Sequence, residues 1–105
     1  MKLAPSSFQS FCYAAGLERP LPEYRFAPPR RWRFDWAFVN AKVAIEVQGG
    51  LFVAGRHTRG AALIREYEKI NHAAMLGWRI LFVTPQQFSS GEAIQLASVA
   101  IGVSK

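Results

Sequence analysis

Arg33-Phe34-Asp35-Trp36-Ala37-Phe38-Val39-Asn40-Ala41-Lys42-Val43-Ala44-Ile45-Glu46-Val47-Gln48-Gly49-Gly50 reads as two strands joined by a tight turn. Phe34, Trp36 and Phe38 alternate with Asp35 and Ala37, and Val43, Ile45 and Val47 alternate with Ala44, Glu46 and Gln48, the period of two expected of strands. Val39-Asn40-Ala41-Lys42 supplies the turn, with Asn40 suited to a left-handed conformation. Pairing the strands places Asp35 opposite in direction to Phe34 and Trp36, and places Glu46 and Gln48 together, opposite Val47. Asp35, Glu46 and Gln48 are then expected on one face. Two carboxylates converging between apolar strands repel each other and are costly to desolvate, so the pattern points to a divalent cation held through oxygen.

A plainer reading stands beside that one. Asp35 could open a turn, and Glu46 could lie on a solvated sheet face. Against it, Asp35 is the only aspartate in the chain and sits between Phe34 and Trp36, an unusual setting for a surface acid.

Outward from this stretch, 105 residues suit one domain over residues 1–105 with a modest core. Thirteen Lys and Arg against seven Asp and Glu give a net charge of +6, and nine of the thirteen are Arg. Guanidinium groups suit bidentate phosphate contacts, so a polyanion is the expected partner. Cys12 is the one cysteine and falls in an apolar helical pattern, which excludes an internal disulfide and points to a reducing compartment. No signal-type h-region occurs near Met1, and no run nears the ~18 apolar residues of a spanning segment. A cytoplasmic protein with no membrane partner is expected.

Upstream, Ser6-Ser7-Phe8-Gln9 resembles a capping box, and Phe8, Phe11, Cys12 and Ala15 follow at helical spacing, with Gly16 placed to end the helix near Ala15. Pro20 and Pro22 punctuate a linker. Glu23 to Phe26 reads as an edge strand that Pro28 and Pro29 break off. Arg30-Arg31-Trp32-Arg33 interleaves guanidinium groups with an indole, a mixture suited to phosphate contact and base stacking, or to a core anchor with solvated arginines. Downstream, Leu51 to Gly60 reads as a basic loop at the mouth of the acidic pocket. Arg56 and Arg59 there could meet phosphates and His57 a leaving group or water.

Ala61 to Leu76 reads as a helix with Leu63, Tyr67, Ile70 and Ala74 inward and Arg65, Glu66, Glu68, Lys69 and His72 mostly on the other side, stopped by Gly77. Trp78 to Val83 reads as a fourth strand, fully buried in character apart from Arg79, closed by Thr84-Pro85. Ser89-Ser90-Gly91-Glu92 opens a last short helix to about Ala100. The expected fold is α/β (α+β), with a central mixed four-stranded sheet flanked by helices.

Asp35, followed by Glu46-Val47-Gln48 on the next strand, resembles the Asp-x(n)-Glu-x-Lys signature of the PD-(D/E)XK nuclease superfamily, in its variant with Gln for Lys. The order α-β-β-β-α-β is similar to that superfamily's restriction-endonuclease-like core. Arg31-Trp32-Arg33-Phe34-Asp35, Glu46-Val47-Gln48-Gly49-Gly50, Gly55-Arg56-His57, Glu68-Lys69-x-Asn71 and Leu76-Gly77-Trp78-Arg79 resemble small phage and prophage endonuclease-like proteins akin to the very-short-patch-repair branch. The likeness spans about Glu23 to Pro85.

The resemblance implies a metal-dependent DNA endonuclease using Mg²⁺, with Mn²⁺ able to substitute, in which Asp35, Glu46 and the Val47 carbonyl hold the metal. It makes Asp35, Glu46, Gln48 and Lys69 the catalytic set, since Gln48 can orient water but carries no charge, and Lys69 can replace the missing lysine from its helix. Arg30, Arg31, Arg33, Arg56, His57 and Arg59 are the expected DNA contacts, and Glu23 a candidate further acid. Two alternatives remain at this point: a non-catalytic nucleic-acid-binding module on a degenerate nuclease fold, and a homodimeric Holliday-junction or branched-DNA resolvase.

Overall fold

The computed structural model describes residues 5–48 and 60–102. The elements, in chain order, are helix α1 (Pro5–Ala14), strands β1 (Leu21–Arg25), β2 (Arg33–Phe38) and β3 (Val43–Val47), helix α2 (Ala61–Met75), strand β4 (Arg79–Val83) and helices α3 (Pro85–Ser90) and α4 (Glu92–Ile101). The sheet order is β1-β2-β3-β4. The first two pairings are antiparallel and the third is parallel, so the sheet is mixed. A parallel pair needs a crossover connection, and α2 lies within it.

The sheet carries an apolar cluster on each face. On one face Phe8 and Cys12 of α1 and Ala93 and Ala97 of α4 pack against Trp36, Phe38, Val43, Ile45 and Val83. On the other, Ala73 of α2 joins Phe26, Phe34, Ala37, Ala44 and Trp78. Burying side chains such as Phe8 or Ile45 contributes roughly 1.5–3 kcal/mol each, so the two layers fix the strand register. The turn between β2 and β3 is tied down from outside, because both Glu18 carboxylate oxygens accept backbone N–H groups, from Asn40 (3.2 Å) and Ala41 (3.1 Å).

The local chemistry differs from expectation at several points. The left-handed residue of the β2–β3 turn is Lys42 (φ 58°), not Asn40; its side chain reaches the Leu76 carbonyl at 2.9 Å. Helix α1 begins at Pro5, so Ser6 is no cap, and the Gln9 side chain donates to the Pro20 carbonyl instead. Phe11 and Ala15 are exposed, because the tight inward face of α1 is the Phe8–Cys12 line. Strand β1 starts earlier than Glu23 and includes Pro22, which an edge position permits.

Strand β4 is an edge strand; Arg79 is exposed as expected, but Phe82 is exposed too and Ile80 and Leu81 are only half-buried. Beyond it Thr84 does more than close the strand. Its hydroxyl accepts the Gln87 N–H and the Gln87 side chain accepts the Thr84 N–H, a reciprocal cap that starts α3 behind Pro85. Gly91, at φ 91°, then turns the chain into α4, a conformation a side chain would strain. Gly77 stands at φ 90° just past α2, as its expected role as a stop requires.

Candidate active site

The site grows from a fault in the β2 ladder. Regular alternation would put Phe34 and Trp36 on one face, yet Phe34 belongs to the α2-side cluster and Trp36 to the α1/α4-side cluster. The pairing runs Tyr24↔Phe34 and Pro22↔Trp36 on one side and Trp36↔Ile45 on the other, with Asp35 in neither ladder. Glu23, across from it on β1, has φ 51°. The expectation that Asp35 points away from both Phe34 and Trp36 is therefore corrected, since the chain flips sides at Asp35 itself.

Carboxylates replace the missing ladder bonds. The Asp35 N–H donates to Glu46 Oε2 at 3.0 Å, and the Val47 N–H donates to Asp35 Oδ2 at 2.7 Å. Each acid thus satisfies a backbone donor that a regular strand pair would have bonded to a carbonyl, and the two carboxyl groups are drawn together across β2 and β3, away from the turn that joins them. The Gln48 N–H, one residue on, donates to the Val83 carbonyl at 2.8 Å and continues the pairing with β4. Strand alternation places Gln48 on the side of Glu46.

Lys69 closes the cluster from α2. Its Nζ lies 3.0 Å from Glu46 Oε1, and the two side chains are only 13% and 7% exposed. The ammonium group also sits 6.0 Å from the Phe34 ring centroid. Burial pushes the Glu46 carboxyl above its ordinary range, and the neighbouring Asp35 charge pushes the same way; the Lys69 hydrogen bond and charge, with the Asp35 N–H, offset this only in part.

The face of α2 that meets the sheet is not the one expected. Ala62, Glu66, Lys69, Ile70, His72 and Ala73 are the more buried positions, so of the four residues expected inward only Ile70 lies there, and Leu63, Tyr67 and Ala74 are exposed. The helix is turned by roughly a quarter of a revolution from the face its apolar residues define. That rotation is what delivers Lys69 to Glu46.

The remaining predicted residues lie apart or engage one another. Glu23 is exposed and pairs with Arg33 at 3.3 Å, so it leaves the acidic cluster. The Arg30 guanidinium lies 3.9 Å over the Trp32 ring and 3.7 Å from Glu68, while Trp32 also meets His72 and Phe26. Trp32 is thus sandwiched among protein groups along the α2 flank, and Arg31 beside it is exposed. Arg56, His57, Arg59 and the glycines at 49, 50 and 55 lie outside the described residues. Cys12 is buried on the far face of the sheet, and burial pushes its thiol up to about 12.

The donor set fits a hard divalent cation of Mg²⁺ type. Such ions use one or two carboxylates and keep several waters, and here two carboxylates converge; among the described residues no third Asp, Glu, His or Cys joins them. The Val47 N–H points to β2, the edge on which strand geometry also places its carbonyl. Among the described residues no helix is long and apolar enough to cross a membrane. Comparison with protein-family models, with curated proteins and with solved structures finds no match for this chain.

Proposed function

We propose that this chain is a Mg²⁺-dependent DNA endonuclease of PD-(D/E)XK type, hydrolysing phosphodiester bonds at the Asp35, Glu46 and Lys69 cluster, and that it is of the small phage or prophage kind. One observation carries the reading. The residue after Glu46-Val47 is Gln48, which brings no charge, and the lysine that this chemistry requires reaches the same carboxylate from α2, 3.0 Å from Glu46 Oε1. A lysine on an exposed helix face would have supported nothing of the kind.

Asp35, Glu46 and the Val47 carbonyl would hold the ion, whose chemistry is to polarise phosphate oxygens and to lower the pKa of bound water. Lys69 has three donor positions on its ammonium and spends one on Glu46, leaving two for a non-bridging phosphate oxygen as negative charge builds there. Its confinement beside buried Glu46 fixes the ammonium in place before substrate arrives. Gln48 can accept and donate at the same water, holding it without taking its proton. Exposed Arg30 and Arg31, on the flank of α2, suit the phosphates to either side, and DNA is the polyanion the net charge of +6 favours.

A second reading rests on one feature of the same cluster. Both Glu46 oxygens are already engaged, by the Asp35 N–H and by Lys69, as they would be in a nucleic-acid-binding module that has kept the fold and lost the chemistry. Incubating the purified chain with linear, nicked, single-stranded and four-way-junction DNA in Mg²⁺, Mn²⁺ or EDTA separates the two. Cleavage that needs the metal supports the nuclease; binding to DNA with no cleavage in either metal supports the module. Selective cutting of the junction by a dimeric species would favour a resolvase.

A further inference from the structure

Phe82 is out of place for a sheet aromatic: it lies within β4, one residue before its end, and is 47% exposed. Along β4, Leu81 and Val83 pack into the α1/α4-side core, and Ile80 packs into the α2-side cluster. Alternation then directs Phe82 to the α2 side, the side of Glu46 and Lys69. The parallel register makes Phe82 the Cα partner of Glu46 itself, one strand spacing away, roughly 4.8 Å. Trp32, whose sequence setting suits base stacking, is sandwiched among Arg30, Phe26 and His72. Phe82 is free of such ring contacts among the described residues, at the edge of the sheet, directly beside the acidic cluster.

We infer that Phe82 is a stacking platform for an unpaired nucleobase next to the scissile phosphate, so that the substrate is single-stranded DNA or a duplex with an unpaired base at the cut. The inference rests on the nuclease reading and narrows its substrate. A phosphate held against Lys69 has its own nucleoside within a few ångströms, and the neighbouring exposed π-face of Phe82 can receive a base without a hydrogen-bonding code. A base still paired and stacked within duplex DNA presents only its edge, so a flat ring at this depth favours a base released from its stack.

Anisotropy titrations of a labelled single strand and of the matching blunt duplex test this, in the cleavage-impaired Asp35→Asn background with Mg²⁺ present. Phe82→Ala should weaken single-strand binding by about 5- to 150-fold while leaving duplex binding nearly unchanged. Phe82→Trp should bind the single strand at least as tightly as the parent. Phe82→Leu, which keeps apolar bulk without a π-face, should lose affinity like Ala and carries the test if the alanine variant unfolds. The inference is overturned if Phe82→Ala or Phe82→Leu binds the single strand like the parent, or if single-strand and duplex affinities fall together. Metal-dependent cleavage in the native chain combined with that result removes the stacking role alone; a parent that binds no nucleic acid removes the nuclease reading as well.

Discussion

Replacing Lys69 by Met keeps most of the aliphatic stem and removes the cation that, among the described residues, pairs with buried Glu46. The pair is only 13% and 7% exposed, so the small values typical of surface ion pairs do not apply. Breaking a buried pair leaves an uncompensated charge and typically costs about 3–5 kcal/mol, which for a domain near 100 residues lowers the melting temperature by at least about 12 °C. The deficit should depend on pH. Because burial holds the Glu46 carboxyl above its ordinary range, the stability it contributes is fully present below the ordinary carboxylate pKa and is lost as pH climbs through the raised value. Lys69 opposes that rise, so Lys69→Met moves the raised value further up and widens the window.

Urea unfolding followed by circular dichroism, with EDTA present, should therefore show a small deficit at about pH 5 and the full one at about pH 8. The double variant Lys69→Met with Glu46→Gln, which removes both charges of the pair, should lose less than the single one at about pH 8. A single variant within about 1 kcal/mol of the parent at both pH values, or equally impaired at both, would refute the buried-pair account.

Two further outcomes concern function. Lys69→Ala should slow cleavage on the order of 10²-fold or more, as loss of a preorganised donor does, and Gln48→Lys should restore part of it; a near-native rate in Lys69→Ala passes the charge role to the basic loop or to a second metal ion. DNA affinity should fall with salt at a log-log slope of about −0.9 per duplex phosphate neutralised, and removing Arg30 and Arg31, or Arg56 and Arg59, should flatten it; an unchanged slope places the DNA path elsewhere.

The order of elements could be read from the chain because period-two runs, prolines and glycines mark each one locally. Val43, Ile45 and Val47 alternate as a strand and do pack on one face. What escaped was set by neighbours in space. Leu63 and Tyr67 look like the inward face of α2, but the sheet presents buried Glu46 to the helix, and Lys69 pairs with it while Leu63 and Tyr67 stay exposed. The flip at Asp35 escaped as well, since no local signal says that a carboxylate will take the place of a ladder carbonyl. Phe82 became notable only through the β3–β4 register, which no local pattern encodes. By contrast Thr84-Pro85-Gln86-Gln87 carries a legible capping signature for α3, a threonine followed three residues later by glutamine with proline between.

The central claim is that Asp35, Glu46 and Lys69 form a hydrolytic centre and are more than a buried polar knot. Asp35→Asn separates the two most cleanly, because the amide oxygen of Asn can still accept the Val47 N–H that Asp35 Oδ2 now accepts at 2.7 Å, while the charge that would hold the metal is gone. Single-turnover cleavage of labelled DNA with Mg²⁺, run beside urea unfolding of the same preparations, is the direct measurement. The account predicts metal-dependent cleavage by the native chain and none detectable with Asp35→Asn at near-native stability. Cleavage by Asp35→Asn at the native rate, or a native chain that cuts no DNA in Mg²⁺ or Mn²⁺, would contradict it.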